Sequence, residues 1–257
     1  MIDYLHDESF EGFLTCVFLH YYEEPAAGIY AGTVYQPSML HTWRLVETDQ
    51  EKAERVYDAI SEKISMSALR RCYHLHLSDS PDRYNVAFHY IVMGFRLGPK
   101  VGSFHGDPIV HEAQRLARKV SFEAHRLTGL VRFSVIADDS GQKSEEILYA
   151  RLEPDHDVLE LLGDHFADRF RNAPFLLHDI RRKKALIAQN GEWVIMKMSE
   201  EQTPVLRTDE KEYRRLWKVY YDSIAIKERT NPACQRRMMP VRYWKHLTEL
   251  TELPEDG

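Results

Sequence analysis

The chain has 257 residues, of which 44% are hydrophobic and 29% are charged, and its formal net charge is −6. This composition is typical of a globular protein that is long enough to bury a core. The negative charge argues against a protein whose whole surface is basic and binds nucleic acid, although it is compatible with a local basic patch.

The cysteines and the N-terminus indicate the compartment. The three cysteines are isolated and form no C-x-x-C pair, so the sequence predicts neither a zinc knuckle nor an iron–sulfur cluster, and we expect no cofactor. Isolated cysteines suit a reducing cytoplasm. The N-terminus MIDYLHDESF lacks the basic start of a signal peptide, and the apolar run at 13–19 is too short to cross a bilayer. We therefore expect a cytoplasmic protein without membrane contact.

The first half of the sequence predicts mostly helices. A short strand at MIDYL precedes a helix that Asp7 or Ser9 can cap, because apolar residues then recur at spacings of three and four. A stretch rich in Pro, Gly and Ala then predicts a loop, and WRLVE predicts a strand. The capping-box spacing of Thr48 and Glu51 predicts the start of a second helix. A further helix is predicted at 67–77, and the next begins after Ser80-Pro81 and ends near Gly98. A loop with several helix breakers follows, and then a long helix is predicted from Asp107 to Gly129.

The pattern changes after Gly129. The segments LVRFSVI and EILYARL alternate like strands around a turn at ADDSGQKS, and a helix is predicted at 155–171. FLLHDI, KALIAQ and EWVIMKM then predict three strands, the last two joined by a hairpin at Asn190-Gly191. We predict one α+β domain over 1–257. It would subdivide into a mainly helical part (1–128), a central antiparallel β-β-α-β-β-β sheet unit (129–200) and a helical basic tail (201–257).

Histidines and acids are concentrated in the segment 153–179. An H-x-x-D pair, His165 and Asp168, lies on one face of the predicted helix, which is a weak metal signal because H-E-x-x-H is absent. A metal-dependent or acid/base site would draw on His156, His165, His178 and Asp179. The alternative is a capped amphipathic helix whose first-turn acids, Asp155 and Asp157, favour the positive end of the helix dipole.

Positive charge is segregated near the C-terminus. Residues 211–246 contain ten Lys and Arg but three acids, so this segment is +7 and the rest of the chain is −13. A second basic cluster lies at 181–184, in the predicted turn after FLLHDI. Cations bind phosphates and flat rings stack on unpaired bases. The predicted nucleic-acid contacts are Arg181, Arg182, Lys183, Arg236, Arg237, Arg242, Tyr243, Trp244 and Lys245.

Two structural alternatives weaken this interpretation. The basic tail can instead be a solvated helix face that docks on the acidic remainder of the chain. Leu216, Trp217, Tyr220 and Ile224 also have the spacing of a helix core, so Trp217 is expected to be packed rather than free for a base.

Several longer strings carry a family resemblance. DESFEGFLTCVF, the block LYARLEPDHDVLELL…HFADRF…HDI and the C-terminal IAIKERTNPACQRRMMPVRYWKHLTEL resemble an uncharacterised bacterial family named as DNA repair or DNA metabolism proteins. Members are typically encoded beside a radical SAM protein, and a similar domain precedes a uracil-DNA-glycosylase-like domain in other bacteria. The resemblance implies a role on DNA and a protein partner, but it supplies no catalytic residues. We expect the stand-alone form, without the glycosylase-like part.

Three functions follow as expectations. The first is a DNA-binding accessory factor that holds damaged or single-stranded DNA for a radical SAM partner, which performs the chemistry. The second is a metal- or His/Asp-dependent hydrolase that processes DNA. The third is a protein-interaction module that makes no DNA contact.

Overall fold

The computed structural model describes residues 2–37, 39–136, 146–207, 209–224 and 231–251. It confirms the predicted α+β class, with helices towards both termini and a sheet between them. Residue contacts divide the chain into two compact units, Met1–Ser121 and Phe122–Gly257. The division falls within one long helix, near the predicted limit at 128. The prediction of a single domain stays a prediction.

The first unit contains a three-stranded parallel sheet and four helices that follow its strands. The strands are β1 (Ile2–His6), β2 (Ala26–Ala31) and β3 (Thr42–Leu45), in the order β2-β1-β3. The helices are α1 (Phe10–Tyr22), α2 (Gln50–Lys63), α3 (Met66–His76) and α4 (Arg83–Leu97). A 3-10 turn (Gly98–Ser103) replaces part of the predicted loop, and α5 (Pro108–Leu130) follows. All five residues of the central strand β1 are buried.

Local sequence signals predicted most of these elements correctly. The wrong predictions concern one strand and the starting residues of two helices. Ser9, one of the two predicted caps, is the one that caps α1, because its hydroxyl accepts the N–H of Gly12 at 2.9 Å. The predicted loop after α1 is wrong, since it contains β2, which pairs with β1. The predicted Thr48 cap is also wrong: Asp49 caps α2, while the Thr48 hydroxyl donates to Asp7 at 3.0 Å. Helix α4 likewise begins beyond the predicted Ser80-Pro81 cap.

The second unit is built on a five-stranded sheet. Its strands are β4 (Ser134–Val135), β5 (Leu148–Leu152), β6 (Phe175–Asp179), β7 (Lys184–Gln189) and β8 (Glu192–Lys197), in the order β4-β5-β6-β7-β8. Helix α6 (Leu159–Arg169) connects β5 to β6, so the predicted β-β-α-β-β-β order is confirmed. The sheet is mixed rather than antiparallel throughout, because β5 and β6 pair in parallel across this helical crossover. The predicted turn at 137–144 lies outside the described residues.

The sequence explains the packing of this unit around α6. Asn190 and Gly191 have φ angles of 55° and 83°, which confirms the hairpin predicted between β7 and β8. Gly163 on α6 lets the Trp193 ring approach closely, since an added Cβ would lie 2.4 Å from that ring. Helix α6 begins four residues later than predicted, so Asp155 and Asp157 precede it and do not lie in its first turn.

The C-terminal segment is not one continuous helix. It contains α7 (Glu210–Ile224), α8 (Pro232–Met238) and a 3-10 turn (Val241–His246). Pro232 is the first residue of α8 and Pro240 immediately precedes the 3-10 turn, which are positions where a proline begins a new helix or ends a preceding one. In the part of the chain that the structure describes, no helix has the length and apolarity needed to cross a membrane.

Candidate functional site at the carboxyl edge of the second sheet

The topology of the second sheet brings two distant basic clusters to one edge. Because β5 and β6 are parallel, their carboxyl ends meet at the same edge, where ligands bind in many open sheets. The turn after β5 carries Asp155, and the turn after β6 carries Arg181. The Arg181 guanidinium lies 3.8 Å from the Asp155 carboxylate, and Arg242 of the C-terminal 3-10 turn lies 3.0 Å from it. Arg181 of the basic turn and Arg242 of the basic C-terminal segment therefore meet at Asp155.

A buried carboxylate fixes the C-terminal turn to this edge. Glu123 on α5 is 2% exposed and accepts hydrogen bonds from the backbone N–H groups of Asp155 (3.0 Å) and His156 (2.7 Å). It also accepts the Tyr243 hydroxyl and Arg242 Nη2, the latter at 3.2 Å. Burial alone would raise the pKa of Glu123, but the hydrogen bonds from Tyr243, His156 and Asp155 outweigh it and lower that pKa. Glu123 is therefore an ionised anchor.

A second buried ion pair holds the turns after β5 and β6 together. Asp179 is fully buried and accepts the backbone N–H and a guanidinium N–H of Arg182, both at 3.1 Å. The same guanidinium donates to the carbonyl oxygens of Pro154 (3.0 Å) and Asp155. Burial raises the pKa of Asp179, although Arg182 opposes the shift. Because three of its guanidinium N–H groups are engaged in these contacts, Arg182 acts as a clamp between the turns and not as a free cation.

Carboxylates neutralise most of the remaining positive charge at this edge. Lys245 pairs with Glu153 at 2.7 Å, and Lys184 pairs with Asp157. Among the described residues of this edge, five cations thus pair with five carboxylates: Arg181, Arg182, Lys184, Arg242 and Lys245 with Glu123, Glu153, Asp155, Asp157 and Asp179. We call these ten residues the Asp155 cluster. Its formal charge is zero.

The other predicted nucleic-acid contacts differ in their accessibility. Lys183, Arg236 and Arg237 are exposed and form no ion pair within the described part of the chain. Tyr243 is buried, with the Arg242 guanidinium 4.6 Å from its ring centre, so its ring is not accessible to a base in this structure. Trp244 is half-buried and donates to the carbonyl of Met239 at 2.9 Å.

The candidate catalytic residues do not form one open site. His178 is fully buried between the Tyr149 hydroxyl (2.9 Å) and the Met198 carbonyl (3.2 Å), and burial lowers its pKa. His165 lies exposed on α6, and the backbone of His156 is bound by Glu123. Over the described residues, no group of three His, Cys, Asp or Glu side chains is arranged to hold a metal ion. The hydrolase interpretation stays a prediction.

Sequence reasoning missed an exposed apolar stripe on α7. Five side chains spaced at i, i+3, i+4, i+7 and i+11 are 40–64% exposed: Tyr213, Leu216, Trp217, Tyr220 and Ile224. The spacing indicated a helix core, and it does form a single face, but most of that face is open. Trp217 is anchored within the described part of the chain, because its indole N–H donates to the buried Glu249 at 3.1 Å. An exposed apolar face of this kind is typical of a surface that binds another protein.

A family model described as a domain of unknown function, DUF4130, matches residues 81–249. This range includes α6, the second sheet and the whole Asp155 cluster. No curated protein and no solved structure is significantly similar to the chain.

Proposed function

The chain belongs to the DUF4130 family of domains of unknown function, and we propose that it is an accessory protein of DNA metabolism that binds DNA at the carboxyl edge of its second sheet. A partner, by resemblance a radical SAM protein, would perform the chemistry on damaged or single-stranded DNA. The observation that carries the proposal is the meeting of the two basic clusters at Asp155.

The pairing of charges limits how strong this binding is expected to be. The Asp155 cluster has no net charge, so the phosphate contacts come first from the unpaired Lys183, Arg236 and Arg237. The logarithm of the binding constant falls linearly with the logarithm of the salt concentration, and we call the gradient of this line the salt slope. Each neutralised phosphate contributes about 0.7 to it for single-stranded DNA and about 0.9 for duplex DNA. Three contacts predict a slope of roughly −2 to −3, which is shallow. We expect weak binding that serves a partner rather than tight binding by the protein alone.

Fluorescence polarisation of labelled single-stranded and duplex oligonucleotides tests this proposal across a salt series. Replacement of Lys183, Arg236 and Arg237 by Gln should flatten the slope by about two units. The matched control replaces Lys63, Arg96 and Lys100, exposed cations of the first unit, and makes the same change in net charge. Equal slopes for the two triple variants, or no salt-dependent binding by the unmodified protein, would refute DNA binding at this edge.

A second candidate function is a protein-interaction module without DNA contact. It is favoured by the neutral Asp155 cluster and by the exposed stripe of α7. Leu216→Asp should then abolish co-purification with the radical SAM partner. Val219→Asp is the control, because Val219 lies outside the stripe on the same helix and is equally exposed (61% against 60%).

A change at Asp155 distinguishes the two candidates. Asp155→Asn removes one anion that Arg181 and Arg242 share, so the net charge of this edge rises by one while Arg242 keeps its contact with Glu123. If this edge binds DNA, affinity should rise and the salt slope should steepen by about one contact, which is worth about 0.7–0.9. If the protein is an interaction module only, DNA binding should stay undetectable while co-purification is unchanged.

A further inference from the structure

A groove of about 620 Å³ lies between three helices of the first unit. One wall is α2, which presents positions i, i+3, i+4 and i+7 starting at Gln50, and the other wall is α3, which presents the same spacing starting at Met66. The first turns of α1 close the groove between them. Two helix faces of matched periodicity that do not fill the space between them leave a position that a further helix can occupy.

The groove is apolar along its base and at its rim. Leu14, Ala53 and Leu69 line it and are buried. Tyr57 and Met66 stand at its edge and are 43% and 60% exposed. Large apolar side chains at the mouth of a groove with an apolar base are typical of helix-in-groove recognition, where the anchors of the bound helix fall at i, i+3, i+4 and i+7.

The length of the groove suits a helical ligand. Each wall extends over seven residue steps, which corresponds to about 10.5 Å at a helical rise of 1.5 Å per residue. Two turns of an amphipathic helix therefore fit between α2 and α3, with two or three large apolar side chains directed towards α1. A volume of this size is also within the usual range for specific binding sites, which is about 300–1,000 Å³.

The charges at the rim specify the ligand further. Glu11 and Glu54 line the groove from α1 and α2, and Arg70 lines it from α3. All three are exposed, and none forms an ion pair with another described residue. A helix that carries basic residues on the side facing Glu11 and Glu54 would satisfy both acids, whereas an acidic helix would be repelled by them.

We propose that this groove binds a basic amphipathic helix of a partner protein, which completes a helical bundle with α1, α2 and α3. The inference is independent of the proposed DNA function, because the groove is formed entirely by residues before position 81, outside the segment that the family model matches.

Selection from a displayed library of helical peptides, with fixed leucines at i, i+3 and i+7 and randomised flanks, tests the proposal. The full-length protein should enrich flanks rich in Lys and Arg, and a Glu11→Lys/Glu54→Lys variant should enrich Asp and Glu instead. Met66→Asp, at the exposed rim, should weaken the selected peptides by about tenfold or more. Val34→Asp, at an exposed apolar residue of the same unit that does not line the groove, should not.

Three results would overturn the proposal. The first is the absence of any enriched peptide, and the second is enrichment with no preference for charge. The third is a dimer of the unmodified protein, detected by sedimentation, that Met66→Asp converts to a monomer, since a second copy of the chain would then occupy the groove.

Discussion

Replacement of Glu123 by Gln should strongly destabilise the second unit. This buried carboxylate accepts four hydrogen bonds, from Tyr243, Arg242 and the backbone of Asp155 and His156. A glutamine keeps one acceptor oxygen but directs an amide donor at groups that are themselves donors. Removing one partner of a buried charge network is worth about 3–5 kcal/mol. We expect a loss of this size in the free energy of unfolding.

Tyr243→Phe is the smaller change at the same contact. It deletes the hydrogen bond that the hydroxyl donates to Glu123, worth about 1.5–3 kcal/mol, and the one that the hydroxyl accepts from Arg242 at 2.9 Å, and it leaves Glu123 with its three other donors. Because both variants weaken the same contact between Tyr243 and position 123, their effects should not add, and the double variant should fall short of the sum by about 1–2 kcal/mol.

Urea unfolding followed by tryptophan fluorescence measures these losses. Three of the four tryptophans, Trp193, Trp217 and Trp244, lie in the second unit, so the signal reports mainly on it. Asp168→Asn on α6, in the same unit, is the control, because Asp168 is exposed, pairs with Arg171 at the surface and should change stability by less than about 0.5–1 kcal/mol. If Glu123→Gln is no more destabilising than this control, Glu123 does not anchor the C-terminal turn.

Three further results are expected. Gly163→Ala should destabilise the second unit by about 1–3 kcal/mol, because the added methyl group would overlap the Trp193 ring. Gly129→Ala is the control, because the space around Gly129 is open and this substitution should not destabilise the protein. Urea unfolding compares the two variants. In a thiol assay with an aromatic disulfide, only the exposed Cys234 should react before unfolding, since burial raises the pKa of the other two cysteines to about 12. Burial lowers the pKa of His6 to about 4, so on acidification this side chain is protonated in the unfolded chain before it is protonated in the folded chain. The free energy of unfolding should therefore fall by about 3 kcal/mol between pH 7 and 4, and a His6→Leu variant should lack this decrease.

Local chemistry made part of the fold predictable. The Ser9 cap and the Asn190-Gly191 hairpin depend on a few neighbouring residues, and both are confirmed. Strand β2 was missed because its sequence, AAGIYA, has weak strand propensity, and its conformation depends on pairing with β1. The parallel pairing of β5 with β6 was missed because it also depends on contacts between residues that are distant in sequence. The helix between the two strands was nevertheless a usable signal, since a helical crossover favours parallel strands.

The candidate site was predictable in composition but not in its charge balance. The sequence predicts that Asp155 and Asp157 lie in a first helical turn, where they would match the helix dipole. Because α6 begins only at Leu159, these two carboxylates pair with Arg242 and Lys184 instead. The imbalance between a +7 segment and a −13 remainder did indicate that such pairing was available. Which acids would meet which cations depends on the three-dimensional path of the chain.

The same reasoning separates two roles for the positive charge of the second unit. Cations that meet buried acids, such as Arg182 at Asp179 and Arg132 at Glu249, hold elements of the fold together, and their removal would be measured as lost stability. Exposed cations without a carboxylate partner among the described residues, such as Arg236 and Arg237, contribute little to folding. Their presence therefore favours a role in binding a ligand. Because the two groups are interleaved in sequence, a charge count alone overstates the surface available to a polyanion.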